Sequence, residues 1–550
     1  MAHGHTGHMD AKLALTGALP FLLILAAALS APLCALLLAL YRRAVISGMA
    51  QRSGVGVAPP NPAVGVSLQA LEIQQLPADG ATFNTPLWRH ARLLPWRSAA
   101  VYLAAGLVYA LVMSGAFLSS SQMAWLPFRG TVLVLTYLWP ALLAVMLVAA
   151  YDPRHRLGLL AAYFGLFLLV SVVASFEATV AAAGNALLLW GATNALPTLL
   201  AMAFMWRRVR AVGPLVLSFM VVSLLGSQVL VSVLQGQKAA LRWVVQLGSA
   251  LGLGGGGTFY ALLILGMVGA AALAWPLLKW LGRRYQARSM SEVSLTLDAL
   301  FLVFATAQSI SLVFEGPTWA LAGPVAFIAA RVTAAGLWRL APNSPEASPR
   351  LLLLRVFALG ARSERLFHRL RKHWQGLGPI AMIAGPDLVT STVEPHEFLD
   401  FVGGHLARQF VSGPADLQSR LANFDARPSP DGQHRVDELF CRADTWQMSM
   451  QRLAAASDAV LMDLRRFSPT NQGCRYEIGR LLDSVDLRRV VLLVDKTTDL
   501  AHLHSTLQSL WQAVAAASPN RRPGVRLRLL QLDRPGYAQL QVLMGHLLQR

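Results

Sequence analysis

The sequence is short of charge, and of acidic side chains above all. Only 14% of its 550 residues are charged, against about 25% in an ordinary soluble domain. Aspartates and glutamates number 28 against 47 lysines and arginines, which leaves a formal net charge of +19. Cysteine is scarce too: Cys34, Cys441 and Cys474 stand far apart with no CxxC pair, which excludes a disulfide framework and a thiolate zinc site. The glycine run from Gly252 to Gly257 lacks the Lys-Ser/Thr of a phosphate loop. The N-terminal "HGHTGH" reads as a tail and not as a metal site.

What is abundant is apolar: 55% of the chain is hydrophobic. Charge is sparse before about residue 340 and dense after it, so the chain divides into a membrane part, 1–340, and a water-soluble part, 351–550, joined by the Pro/Ser linker 341–350. Basic residues fall in short clusters beside apolar runs, the pattern of a multi-pass membrane protein attracted to lipid headgroups. Membrane lipid is therefore an expected partner and nucleic acid is not.

A membrane-crossing helix needs about 20 mostly apolar residues. About nine stretches qualify by this rule: 17–41, 99–118, 130–150, 157–176, 180–206, 212–234, 257–281, 294–314 and 317–338. The first is too long for a signal peptide and its basic residues follow it, so a retained helix is expected. Segment 239–253 reads as an interfacial helix or part of a longer span. Arginines cluster in every second loop: 42–97, 154–156, 207–210 and 283–288. That alternation predicts an N-terminus outside and a C-terminal domain in the cytoplasm, with the cell inner membrane as the expected location. Loop 42–98 is long and rich in Pro and Gly, and its end, "PLWRHARLLPWR", has the Trp and Arg of an interfacial anchor. Two charges fall inside spans: Asp298 and Arg331, each roughly 7–11 Å deep at 1.5 Å per residue. They are expected to pair as a structural lock, since one pair is too little for an ion path.

After residue 350 the pattern changes. Apolar runs at 351–359, 378–385, 459–464, 489–495 and 526–532 alternate with helical segments. Such alternation predicts a doubly wound α/β domain with five parallel strands. Ligands of these sheets bind beyond the carboxyl ends of the strands, where Gly360, Gly385, Asp463, Asp495 and Asp533 fall.

A helix, then "ASDAVLMDL", the loop "RRFSPTNQGC", "RYEIGRLL" and "RRVVLLVD" together resemble the central part of a TIR domain. The first strand and helix, "RVFALGARSERLFHRLRKHW", are similar to that family's opening. The resemblance covers roughly 351–533. The segment before residue 444 is longer than the family's, and Gly473 stands where the family has Trp. Nucleoside deoxyribosyltransferases share the layout. The resemblance implies cleavage of the nicotinamide–ribose bond of NAD, as substrate and not as a bound cofactor. Glu477 would be the catalytic carboxylate. Ser468, Asp463, Gly360 and Arg362 would contact the ligand.

A plainer reading of the same residues makes Ser468-Pro469 a helix cap, Glu477 an exposed early-helix acid and Cys474 a small buried residue. Trp446 is expected to pack against the sheet and not to stack on a base. Three roles stay open: an NAD-cleaving or signalling effector, a non-catalytic receptor or scaffold that binds a nucleotide or itself, and a transporter or channel regulated by its soluble domain.

Overall fold

The computed structural model describes residues 32–54, 70–78, 86–123, 126–150, 153–177, 182–204, 237–312, 317–340, 348–356, 361–386, 393–533 and 536–549, with scattered positions between 212 and 234. The N-terminal histidines, most of the predicted span 212–234 and Gly360 lie outside them. The chain divides into two compact units. A helical unit comprises residues up to Leu38, 95–341 and 394–399; an α/β unit comprises 39–94, 342–393 and 400–550.

Five helices among the described residues are long and apolar enough to cross a membrane: Pro32–Ala50, Pro86–Ser120, Pro127–Val148, Arg154–Phe176 and Gly255–Gln286. By length and composition the chain is thus a multi-pass membrane protein; the described residues show five candidate spans of the nine expected. The glycine run opens the last of these spans, with Gly254 at its N-cap. Segment Lys238–Ala250 is a separate helix, with Trp243 and Leu247 exposed. Close helix contacts depend on small residues. A Cβ on Gly323 would lie 2.1 Å from the Ala305 carbonyl oxygen, and one on Gly106 would lie 2.1 Å from the Ala141 Cβ. A buried polar chain adds to this packing. The Tyr109 hydroxyl donates to Gln308 Oε1 at 2.7 Å, Gln308 Nε2 to Asn194 Oδ1 at 3.1 Å, and Asn194 Nδ2 to the Thr136 carbonyl at 3.0 Å. Asp298 and Arg331 do meet, at 3.1 Å across helices Glu292–Leu312 and Ala322–Leu340.

Among the described residues the α/β unit holds seven parallel strands, where five are expected. They are β1 (Glu72–Leu76), β2 (Leu351–Arg355), β3 (Ile380–Ile383), β4 (Val436–Leu439), β5 (Ala459–Asp463), β6 (Val490–Val494) and β7 (Arg526–Gln531), in the order β1-β7-β6-β5-β2-β3-β4. The five expected strands are all present. Four of them, "LLLLR", "IAMI", "AVLMD" and "VVLLV", are buried along their whole length, as a sheet covered on both faces requires. The two additional strands are the edges. β1 comes from the long loop between the first two membrane helices and pairs in register with β7, Glu72 beside Arg526 through Leu76 beside Leu530.

The same loop corrects one half of a second expectation. "PLWRHARLLPWR" begins the helix Pro86–Ser120; Trp96 is exposed, as an anchor would be, but Trp88 is buried. Its side chain is 8% exposed and belongs to the core cluster of Leu351, Leu353, Phe367, Trp374 and Leu461. The apolar face of Trp88 is better satisfied by this core than by a headgroup layer, because nearly all of it leaves water.

Candidate functional site

A doubly wound sheet opens a crevice where the strand order reverses. Here β2, β3 and β4 run one way from the centre and β5, β6, β7 and β1 the other. The reversal lies between β2 and β5, whose last residues, Arg355 and Asp463, are register partners. The Val356 amide donates to the Asp463 carbonyl at 3.0 Å, which ties the two strand ends together.

The acids at this edge differ sharply in how they are satisfied. Asp463 is committed to Arg465: Arg465 Nε donates to Oδ1 at 2.8 Å and Nη2 to Oδ2 at 2.6 Å, with both side chains buried. Arg466, next in the chain, takes a left-handed backbone, φ 60. Asp495 accepts from the Thr497 amide at 2.9 Å and hydroxyl at 2.5 Å. Asp533 accepts from the Lys496 amide at 2.9 Å. These three carboxylates serve turns and a local ion pair, the ordinary work of strand-end aspartates.

Glu477 is different. It lies in the helix Gln472–Ser484 and is buried at 3% exposure. Its Oε2 atom has no hydrogen-bond partner among the described residues. The helix turns Cys474, Glu477, Ile478, Leu481 and Leu482 inward, the i, i+3, i+4, i+7, i+8 stripe of a core-facing helix. The exposed-acid reading is thereby overturned. Cys474 is buried, as the plainer reading expects, with its Sγ 3.9 Å from the Arg355 carbonyl oxygen. Burial pushes the Glu477 carboxyl up to about 8, against the opposing pull of the Arg355 guanidinium. Burial, helped by Glu477 and Asp463, pushes the Cys474 thiol up to about 12, so it is no nucleophile at neutral pH.

The sign of the resulting pH effect follows. Folded Glu477 keeps its proton up to pH about 8, whereas its ordinary value is 4.5. The stability it contributes is full below that ordinary value and is lost as pH rises toward and through the folded one. Glu477→Gln should therefore flatten the fall in stability over this window, with a gain on the order of a few kcal/mol at its upper end. Urea midpoints of the full chain, measured at several pH values, check this; parallel wild-type and Gln curves would refute it.

The remaining candidates do not all join Glu477. Ser468 is not the cap, because the helix starts at Gln472 with Asn471 at the N-cap. Instead, the Ser468 amide and hydroxyl donate to Asn471 Oδ1 at 2.9 and 3.0 Å, which shapes the loop. Arg362 falls in the helix Ala361–Trp374, but its side chain is outside the described residues, and Gly360 is outside them altogether. Gly385 is buried just past β3. Trp446 packs against the core, edge-on to Tyr476 at 5.3 Å, as expected. Sequence reasoning missed Arg355 and Arg465. The signal for Arg355 is a charge ending an otherwise aliphatic strand.

Glu394, His396 and Glu397 bring one potential metal ligand each to within 4.8 Å of one another. Their atoms already serve each other: Glu397 Oε2 accepts the Glu394 amide at 2.9 Å, and His396 Nδ1 lies 3.3 Å from Glu394 Oε2. They open the helix Pro395–Val402, whose positive end favours carboxylates and opposes a cation. The group is a helix cap.

No family model, curated protein or solved structure matches the chain.

Proposed function

We propose that this chain is a multi-pass inner-membrane protein whose α/β unit, on the cytoplasmic side, binds a nucleotide at the β2/β5 crevice and cleaves the nicotinamide–ribose bond of NAD. The observation that carries the reading is Glu477: a buried carboxyl with an unmatched oxygen, beside Arg355, where the strand order reverses. The sequence likeness to TIR domains points to the same residue. In the proposed reaction the C–N bond breaks and its electron pair leaves with neutral nicotinamide. Water adds to the ribosyl cation and gives ADP-ribose and a proton. An entering cationic nicotinamide favours the ionised form of Glu477. The carboxylate then stabilises the positive charge that develops on the ribose, as in glycoside hydrolysis.

The test uses the full chain in lipid nanodiscs, with NAD consumption followed for wild type, Glu477→Ala and Glu477→Gln. The expected result is turnover in the wild type and a loss of about 100-fold or more in both variants, the scale of removing one transition-state electrostatic contact. Equal turnover in all three would end the proposal.

A second reading, a receptor or self-associating scaffold that binds nucleotide without chemistry, is favoured by the deep burial of Glu477 and the commitment of Asp463 to Arg465. Saturable NAD binding with no turnover would select it.

A further inference from the structure

The helix Gly255–Gln286 changes character at Lys279. From Gly255 to Leu278 it carries no charge, a length of about 36 Å at 1.5 Å per residue, slightly more than the ~30 Å of a hydrocarbon core. Lys279, Arg283 and Arg284 then follow within two turns, at the level where hydrocarbon gives way to headgroups. All three are exposed, and none takes part in an ion pair among the described residues. The surrounding sequence offers them no counter-charge: no Asp or Glu occurs from residue 178 to residue 291. Acids do flank His396, which stacks on the buried Tyr285 at 6.0 Å. That contact is on the inward face of the helix, and Glu394 and Glu397 there serve the cap of their own helix.

The cations lean back over the apolar part of the helix. Helical side chains tilt toward the N-terminus. The Lys279 ammonium lies 5.3 Å from the Trp275 ring centroid and the Arg284 guanidinium 5.4 Å from that of Trp280, each about one turn back toward the charge-free stretch. A lone cation at a bilayer edge snorkels the other way, to water. The exposed surface is built in two columns. Leu273, Leu277, Trp280 and Arg284 fall at i, i+4, i+7 and i+11, one face of the helix. Trp275, Lys279 and Arg283 fall at i, i+4 and i+8 beside it. Each column is apolar below and cationic above, and Leu273, Leu277 and Trp280 are all exposed.

We propose that this face binds an acidic phospholipid of the surrounding bilayer, with the phosphate held by Lys279, Arg283 and Arg284 and an acyl chain laid along Leu277 and Leu273. The cations supply the charge-assisted hydrogen bonds that a phosphodiester accepts. The apolar column beneath them suits an acyl chain and has no use for a free phosphate ion. A second copy docked through the same face by two-fold symmetry would set the three cations against their own images. The site does not depend on the reading of Glu477.

The full chain in phosphatidylcholine nanodiscs tests it. The discs are doped with phosphatidylglycerol that bears a photoactivatable diazirine in its acyl chain, or with phosphatidylcholine that bears the same label. Peptide mapping after irradiation reads where each lipid lies. Residues 273–284 should take at least about 10-fold more label from phosphatidylglycerol, the scale of two or three basic residues near an anionic lipid. Residues 166–172, an uncharged stretch of the helix Arg154–Phe176 with Leu166, Leu169 and Val172 exposed, should take both labels alike. Lys279→Gln, Arg283→Gln and Arg284→Gln should each lower the preference about 5-fold, the triple variant should abolish it, and Lys279→Arg should keep it. Unchanged labelling of 166–172 reports that each variant is folded and inserted. Equal labelling of 273–284 by the two lipids would overturn the proposal, as would a preference that survives the triple variant. Label from neither lipid at 273–284 would give the face to a protein partner and overturn it as well.

Discussion

Asp463→Ala is expected to destabilise the α/β unit by about 3–5 kcal/mol. The cost does not come from the lost carboxylate alone. Arg465 is 5% exposed and makes two side-chain bonds to Asp463, at 2.8 and 2.6 Å. Without Asp463, a guanidinium remains in a buried site with no partner of equal quality. A buried pair is weak evidence of net stabilisation, because both charges were desolvated to make it. The double variant Asp463→Leu with Arg465→Met should therefore recover most of the loss. Urea unfolding of the full chain, as a double-mutant cycle with Asp463→Leu and Arg465→Met as the single variants, reads the coupling directly. Simple addition of the two single effects would show that the pair is not interacting as its distances imply.

Trp88→Ala should cost a similar ~3–5 kcal/mol, although Trp88 sits far away in sequence from most of the sheet it supports. The indole is 8% exposed in a cluster with Leu351, Phe367, Leu370 and Trp374. Removing it leaves a hole that rigid neighbours, strand and helix alike, fill only in part. The same reasoning bears on fragments. A piece beginning at residue 342 loses both Trp88 and β1, so β7 becomes a bare edge, and a bare edge invites pairing with other chains. Pulse proteolysis of Trp88→Ala in the full chain should show cleavage within 351–550 at lower urea than in wild type. An unchanged midpoint would place Trp88 outside the core.

Much of this architecture is legible in the residues, and the exceptions have physical reasons. Strands such as "VVLLV" announce themselves because both faces are covered, so every position is apolar. The strands "EIQQL" and "VDEL" are edges with one side in water. Their apolar content is too low for a pattern search to separate them from loop. The inward turn of Glu477 was readable, since Cys474, Ile478, Leu481 and Leu482 define its helix face. The bond between Asp463 and Arg465 was not. A strand-end aspartate looks the same in sequence whether it awaits a ligand or is held by the residue two places on.

The origin of β1 also has a consequence for biosynthesis. Glu72 leaves the ribosome roughly 450 residues before its partner Arg526, which at about 5–20 residues per second is a delay of some tens of seconds. Throughout that time β1 and the helices on either side of it are already made while β7 is not. The sheet must therefore close onto a segment synthesised long before it, and completion of the C-terminus gates the maturation of the N-terminal loop.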